Sequence, residues 1–287
     1  MLVSTTATNA EADWSSGTTY ALGDIRTYAS KRWQSLQNTN LNHVPDVSPT
    51  WWSDLGADNK HAMFDTQVST STTAVTTLSV IYAPAAIIDT VALINVVAAT
   101  VQIIVRDGLA GPIVYDKTAG ISTDDVGDWY EYFFNDPLVE RTQIVFYDIP
   151  PYLNAHVTLL FTNSTGETVS VAQAVAGNVF TLGGTQYGAD AGIIDYSLKE
   201  TDEFGTITFV ERAFSKRLNA TVYVNNSELN RIQNLLYNIR AKPSVWIGSD
   251  DPNYQEALVI YGFYREFSTT ISYPNHSLCS LDIESLS

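Results

Sequence analysis

Hydrophobic and polar residues alternate with a period of two over much of this chain, a pattern that predicts β-strands. Between residues 74 and 184, short runs rich in Val, Ile and aromatic residues are separated by Gly, Asn, Asp or Pro. The runs are "TTLSVIYA", "IDTVALINV", "TVQIIVRD", "PIVYD", "WYEYFFND", "RTQIVFYDIP", "AHVTLLFTN" and "TVSVAQAVAG". Roughly eight strands with turn signals between them predict a β-sandwich of the jelly-roll type.

Towards the C-terminal end, one segment departs from this alternation, and its apolar residues recur at the spacing of a helix. In "NSELNRIQNLLYNIRA" the apolar residues recur at helical spacing and form one face: Leu229, Ile232, Leu235, Leu236 and Ile239. Asn226 or Ser227 is expected to cap the start of this helix, and Pro243 follows its end. Strand-like runs flank the helix on both sides. Residues 185–287 are therefore predicted to form an α+β domain with one helix on a sheet.

The first 73 residues divide into three segments. Residues 1–10 are small and polar and predict a flexible arm, or an extended segment lying on a neighbouring subunit. Residues 11–60 are rich in aromatic residues and predict a compact module. Residues 61–73 are polar, end in a Ser/Thr run and predict a linker. The whole chain is thus predicted to be mainly β.

Composition narrows the range of partners. The 287 residues carry a net charge of −16, and only 16% of them are charged. Such a surface repels phosphate backbones and anionic lipid headgroups, so we expect no nucleic-acid partner and no membrane insertion. The most apolar stretch, 83–105, is interrupted by Asp89 and Asn95, which favours strands over a membrane helix. The start "MLVSTTATNAEADW" has no basic end and no apolar run, so we expect no signal peptide.

Signatures of chemistry are sparse. The chain has no GxSxG, HExxH, phosphate loop or dinucleotide fingerprint. A single cysteine, Cys279, excludes an internal disulfide and is expected to lie buried in a strand. Asp124, Asp125 and Asp128 could bind calcium, but their spacing departs from the EF-hand pattern, and a solvated loop is the simpler interpretation. We therefore expect no enzymatic activity, no metal and no cofactor.

Aromatic residues have a distinctive spacing in "DWSSGTTYALGDIRTYASKRWQSLQNTNLNHVPDVSPTWWSDLG". Residues 13–56 resemble the chitin-binding type modules of the family 5/12 carbohydrate-binding class, in which exposed aromatic residues stack on sugar rings. The resemblance implies that Tyr20, Trp51 and Trp52 are candidate carbohydrate-binding residues. Two features depart from the family pattern: Trp33 stands where tyrosine is usual, and "ASKRW" carries two basic residues.

The adjacent tryptophans Trp51 and Trp52 also have a purely structural interpretation. A module of this size has little core, so its aromatic residues must supply that core. Neighbouring residues of an extended chain point to opposite sides. We therefore predict that one of the two tryptophans is buried and that the other faces outward, towards a sugar or a neighbouring subunit.

The C-terminal part resembles proteins of tailed-bacteriophage virions, of the distal-tail and baseplate-hub type. The residues that carry the resemblance are "TITFVERAFSKRLNATVYV", the helix, "PSVWIG", "VIYGFYREF" and "SLCSLDIESL". It implies a structural protein of the phage tail tip, made in the host cytoplasm and built into the virion tail. Its partners would be other copies in a ring, other tail proteins and host surface polysaccharide. Arg212, Lys216 and Arg217 are the candidate subunit contacts.

Two other functions stay open from the sequence. The chain could be a free glycan-binding adhesin or accessory protein that forms no ring. It could also be a polysaccharide-degrading enzyme that the N-terminal module anchors to its substrate.

Overall fold

The computed structural model describes residues 1–121, 142–201, 204–205, 207–249, 254–271 and 273–286. The chain divides into two compact units, Met1–Asn178 and Val179–Ser287. The prediction of a mainly β protein is confirmed. The predicted N-terminal module and the predicted sandwich both lie within the first unit. The second unit begins at Val179, six residues before the predicted boundary at 185.

The first 60 residues contain six short strands. Strands β3, β4 and β6 form a three-stranded antiparallel sheet, and β2 pairs with β5. A 3₁₀ turn, Pro45–Val47, precedes the last of these strands. The bounds are β1 (Leu2–Thr5), β2 (Thr19–Tyr20), β3 (Ile25–Tyr28), β4 (Lys31–Ser35), β5 (Asn40–Leu41) and β6 (Trp52–Ala57).

Eight further strands build the sandwich, with β8, β13, β10 and β11 in one sheet and β7, β14, β9 and β12 in the other. Their pairings are nested: β7 with β14, β8 with β13, β9 with β12 and β10 with β11. This is a rolled-up antiparallel ribbon, so the jelly-roll prediction is confirmed. The bounds are β7 (Thr72–Val75), β8 (Thr77–Tyr82), β9 (Thr90–Val97), β10 (Thr100–Asp107), β11 (Ile113–Gly120), β12 (Gln143–Phe146), β13 (Ala155–Thr162) and β14 (Thr168–Gly177).

The alternation in the sequence places the sandwich core between the two sheets. Every second residue of β10 and β13 is fully buried, while the residues between them reach the surface. Burying each such aliphatic or aromatic side chain contributes about 1.5–3 kcal/mol. The inward residues of these strands are Val101, Ile103, Val105, Val157, Leu159 and Phe161.

The predicted flexible arm is instead a strand of the sandwich. β1 pairs antiparallel with β8, with Leu2 opposite Tyr82 and Thr5 opposite Val80. Leu2 also packs against the buried core. Residues 2–5 therefore extend the chain's own five-stranded sheet instead of reaching a neighbour.

The predicted linker, 61–73, is also ordered. It contains a 3₁₀ turn, Ala62–Phe64, that inserts the fully buried Met63 into the sandwich core. The backbone N–H of Met63 donates to Thr72 Oγ1 at 3.0 Å. Gln173 Nε2 on β14 donates to Asp65 Oδ1 at 3.0 Å. The apolar residues Ala62, Met63 and Phe64 thus attach an otherwise polar segment to the core.

In the second unit, a mixed-length antiparallel sheet has the order β15-β19-β22-β21-β20, and β16 pairs with β19 further along the same edge. Strands β17 and β18 form a separate two-stranded hairpin. The bounds are β15 (Gly184–Thr185), β16 (Asp190–Asp195), β17 (Leu198–Thr201), β18 (Ile207–Val210), β19 (Phe214–Asn225), α1 (Leu229–Ile239), β20 (Ser244–Ile247), α2 (Gln255–Leu258), β21 (Val259–Thr270) and β22 (His276–Ser285).

Helix α1 covers this sheet as predicted, which confirms the α+β class. Ile232 and Leu236 are buried in one cluster with strand residues that include Leu218 and Trp246. Cys279 is fully buried in the same cluster. The predicted cap is wrong: the residue before the helix is Glu228, and no side chain caps the helix N-terminus. Among the residues that the structure describes, no helix is long and apolar enough to cross a membrane.

Removing residues 1–5 tests whether β1 is structural. The deletion uncovers the edge of β8 and removes Leu2 from the core, so we expect it to lower the free energy of unfolding of the first unit by about 1–3 kcal/mol. Chemical denaturation followed by circular dichroism measures the change. A deletion without effect would mean that the segment is a free arm.

Candidate functional site

The N-terminal module is held together by three aromatic residues. Tyr20, Trp33 and Trp52 are buried, with exposed fractions of 2%, 8% and 2%. The Nε1–H group of Trp33 donates to the carbonyl of Tyr28 at 3.0 Å, and that of Trp52 donates to the carbonyl of His43 at 2.8 Å. Their polar atoms are thus satisfied inside the module, as buried polar atoms require.

Burial removes two of the three candidate sugar-stacking residues. Tyr20 packs edge-to-face on Trp52 at a centroid distance of 5.3 Å, and the Arg26 guanidinium lies 5.1 Å from the Tyr20 centroid. The backbone N–H of Ser15 donates to Tyr20 Oη at 2.7 Å. Tyr20 and Trp52 both lie in the buried aromatic cluster, so the structure does not place either ring at the surface where a sugar would stack. The sequence could not separate core rings from surface rings in so small a module.

Trp52 is buried and Trp51 is partly buried, so the two neighbours differ in burial as predicted, although Trp51 also packs against the aromatic cluster. The His43 ring stacks on Trp51 with centroids 3.9 Å apart and ring planes 12° from parallel. The Trp51 carbonyl accepts hydrogen bonds from Leu36 N–H at 2.9 Å and from Asn40 Nδ2 at 3.3 Å. The Trp51–His43 pair is therefore fixed in place. His43 was not singled out from the sequence, where it is one of four scattered histidines.

The two basic residues in "ASKRW" are both paired with carboxylates. Lys31 Nζ lies 2.5 Å from Asp54 Oδ2, and this hydrogen bond holds the pKa of Asp54 below its usual value. Arg32 donates from Nε and Nη2 to Glu11 Oε1. Lys31 thus joins β4 to β6, and Arg32 joins β4 to the segment before the module's first sheet.

Hairpin β17–β18 exposes apolar side chains in the second unit. Its strands pair Lys199 with Phe209 and Thr201 with Ile207. Since side chains alternate along a strand, Ile207 and Phe209 lie on one face of the hairpin. They are 47% and 72% exposed and do not belong to the unit's buried cluster.

A polar network fixes the base of this hairpin. Asp195 Oδ1 accepts the N–H of Ser197 at 2.8 Å, and Ser197 Oγ accepts the N–H of Arg212 at 3.1 Å. Hydrogen bonds from the Ser197 hydroxyl and N–H lower the pKa of Asp195. Asp195, which the sequence left without a role, therefore links the two ends of the hairpin.

The three basic residues predicted at subunit contacts do not act as one group. Arg212 is exposed beside the hairpin base. Lys216 and Arg217 are neighbours on β19 and so point to opposite faces. Arg217 Nε lies 3.1 Å from Asp282 Oδ1 on β22, a contact within the chain.

No group of three or more His, Cys, Asp or Glu side chains is placed to hold a metal ion in the parts of the chain that the structure describes. The predicted calcium candidates Asp124, Asp125 and Asp128 lie outside the described residues.

Comparison with known proteins adds no relationship. No family model matches the chain, and no curated protein matches it.

Alanine substitutions at the two adjacent tryptophans should differ in effect. Trp52→Ala opens a cavity in the aromatic core and is expected to lower the free energy of unfolding by about 3–5 kcal/mol. Trp51→Ala removes a partly exposed ring and should cost less than half as much. Urea denaturation followed by circular dichroism compares the two variants, and equal losses would contradict the assignment.

Proposed function

We propose that this chain is a structural protein of a bacteriophage tail tip, in the distal-tail or baseplate region. It assembles with copies of itself into a ring, contacts other tail proteins and resides in the virion tail. The single observation that carries the proposal is hairpin β17–β18, which presents Ile207 and Phe209 to solvent.

An isolated two-stranded hairpin is marginally stable in water. Hairpin β17–β18 pairs with no third strand among the described residues, and neither Ile207 nor Phe209 is buried. Burying one such side chain contributes about 1.5–3 kcal/mol. A neighbouring copy that covers this face would therefore stabilise both the hairpin and the assembly.

The edges of the main sheet suit the same role. Within the described residues, β16 pairs only with β19, so its other edge is open. Its sequence, "DAGIID", carries neither lysine nor proline, the residues that commonly protect an edge strand. β20 ends the sheet on the opposite side. Two different open edges favour head-to-tail contacts, which close into rings.

The double variant Ile207→Thr/Phe209→Thr tests this assembly. Threonine keeps the strand propensity and removes the apolar face, so we expect the oligomer to dissociate towards the monomer mass of 31.6 kDa. Light scattering after size exclusion measures the mass. The matched control is Ile271→Thr, since Ile271 is 73% exposed in the same unit. A wild-type monomer that is also absent from purified virions would refute the proposal.

A second candidate function is glycan binding without ring assembly, and the Trp51–His43 pair favours it. The apolar C–H faces of sugars pack on aromatic planes, and the partly exposed stack of His43 on Trp51 is the aromatic surface of the module that a sugar could reach. The same pair would let the tail-tip protein contact host surface polysaccharide.

Trp51→Ala should abolish retention on insoluble chitin if the module binds glycans. Tyr237→Ala serves as the control, because Tyr237 is an aromatic residue that is 69% exposed in the second unit. Cosedimentation of each purified full-length variant with chitin measures retention. Undiminished retention of Trp51→Ala would exclude this ring as the binding platform.

A further inference from the structure

Three polar side chains of the first unit form a continuous chain of hydrogen bonds. Ser30 Oγ lies 3.2 Å from His61 Nε2, and His61 Nδ1 lies 2.6 Å from Asp58 Oδ1. Ser30 comes from the turn between β3 and β4, whereas Asp58 and His61 flank the start of the 3₁₀ turn after β6. The order of groups is nucleophile, base and carboxylate, the arrangement that activates a serine in acyl transfer.

The hydrogen bonds of Asp58 bear on which ring nitrogen of His61 carries the proton. Asp58 is 4% exposed; its Oδ2 accepts from Asn9 Nδ2 at 2.9 Å, and its Oδ1 accepts the backbone N–H of His61 at 3.1 Å. A carboxylate can only accept a hydrogen bond, so with Asp58 as a carboxylate this contact assigns the proton of the neutral ring to Nδ1 of His61. In the neutral ring, Nε2 is then free to accept the hydroxyl proton of Ser30.

The turn that carries Ser30 is conformationally unusual. Ala29 and Ser30 have φ angles of 51° and 65°, two consecutive left-handed residues where Asn-Gly is the preferred pair. Such backbone costs energy and persists where surrounding contacts impose it. One such contact is the hydrogen bond from Asp58 N–H to the carbonyl of Ser30, at 3.1 Å. Ser30 therefore sits at an exposed tip but is held against its base.

Backbone donors are available beside the serine. Within the described parts of the chain, the N–H groups of Ala29 and Ser30 donate to no acceptor. In acyl-transfer enzymes, backbone N–H groups, among them that of the nucleophile itself, stabilise the negative oxygen of the tetrahedral intermediate.

We propose that Ser30, His61 and Asp58 form a hydrolytic site for carboxylic esters. This departs from the sequence-based expectation of no enzymatic activity. Because Ser30 lies at an exposed turn, the site suits a small acyl group carried on a larger molecule. Such a group reaches the serine without entering a cavity.

The reaction needs water alone as co-reactant. Ser30 Oγ bonds to the ester carbonyl carbon while its proton moves to His61 Nε2. The bond between that carbon and the leaving oxygen breaks, and His61 returns the proton to form the free alcohol. Water then attacks the carbonyl carbon of the acyl–Ser30 ester while His61 Nε2 takes its proton. The bond between that carbon and Ser30 Oγ breaks, His61 returns the proton to Oγ, and the carboxylic acid leaves. Asp58 stays ionised throughout.

Two probes test the site on the full-length protein: p-nitrophenyl acetate for turnover, and a fluorophosphonate for covalent labelling followed by peptide mass spectrometry. We expect the phosphonate on Ser30. Ser30→Gly should lose the label and lower the hydrolysis rate about 100-fold or more, because the serine and its base act together. Glycine adopts the left-handed conformation without strain, so this variant keeps the turn.

The matched control is Ser164→Ala, which removes another exposed turn serine and should leave both readouts unchanged. His61→Gln should abolish labelling of Ser30, and its melting temperature shows whether it folds. Unlabelled Ser30 in the folded wild-type protein would overturn the proposal. So would a hydrolysis rate that falls in His61→Gln but persists in Ser30→Gly, since the histidine would then act alone.

Discussion

The first unit depends on one buried carboxylate. Asp58 stands where the N-terminal module ends and the sandwich begins, and it hydrogen-bonds Asn9 from the segment after β1 and His61 from the 3₁₀ turn. The next residue, Asn59, donates to the carbonyls of Thr8 and Thr73. Buried polar groups must be hydrogen-bonded, so the contacts of Asp58 and Asn59 tie these segments together in the folded unit. That requirement explains why a module with only three core rings does not stand apart from its neighbour.

The second unit is organised differently. Its sheet and helix α1 bury their apolar side chains against each other in one cluster, and hairpin β17–β18 contributes no residue to that cluster. The proposed assembly and the proposed ester hydrolysis therefore reside in different units and rest on separate observations. The assembly proposal rests on the exposed apolar face of hairpin β17–β18. The hydrolysis proposal rests on the hydrogen bonds that connect Ser30, His61 and Asp58. Failure of either proposal would leave the other standing.

The sequence predicted features that follow from local periodicity. The period-two alternation of β10 and β13 and the helical spacing of Ile232 and Leu236 both correspond to the observed buried faces. The sequence did not predict the features that depend on contacts between residues far apart in the chain. The polar segment 1–10 becomes a strand only because β8 offers an edge, and Met63 gives no periodic signal within its polar surroundings.

In the candidate sites, too, local features could be predicted from the sequence, whereas features that depend on distant contacts could not. The sequence predicted that the two adjacent tryptophans differ in burial, but Trp51 lies in the turn before β6, so which ring is exposed depends on how the module closes and not on strand alternation alone. Ser30 and His61 lie in segments that are far apart in sequence and carry no recognised motif. Their proximity arises from the turn conformation of Ala29 and Ser30 and from the position of Asp58, neither of which can be read from residue order.

The nested pairing of the jelly roll has a consequence for synthesis of the protein. β14 pairs with both β7 and β9, so the four-stranded sheet cannot close until residues 168–177 have left the ribosome. Until then β9, where Val91 and Leu93 are fully buried in the finished fold, has no partner on that side. Topologies dominated by such distant pairings fold slowly and expose apolar strands to aggregation. The apolar face of β9 therefore stays uncovered on that side during synthesis of most of the first unit.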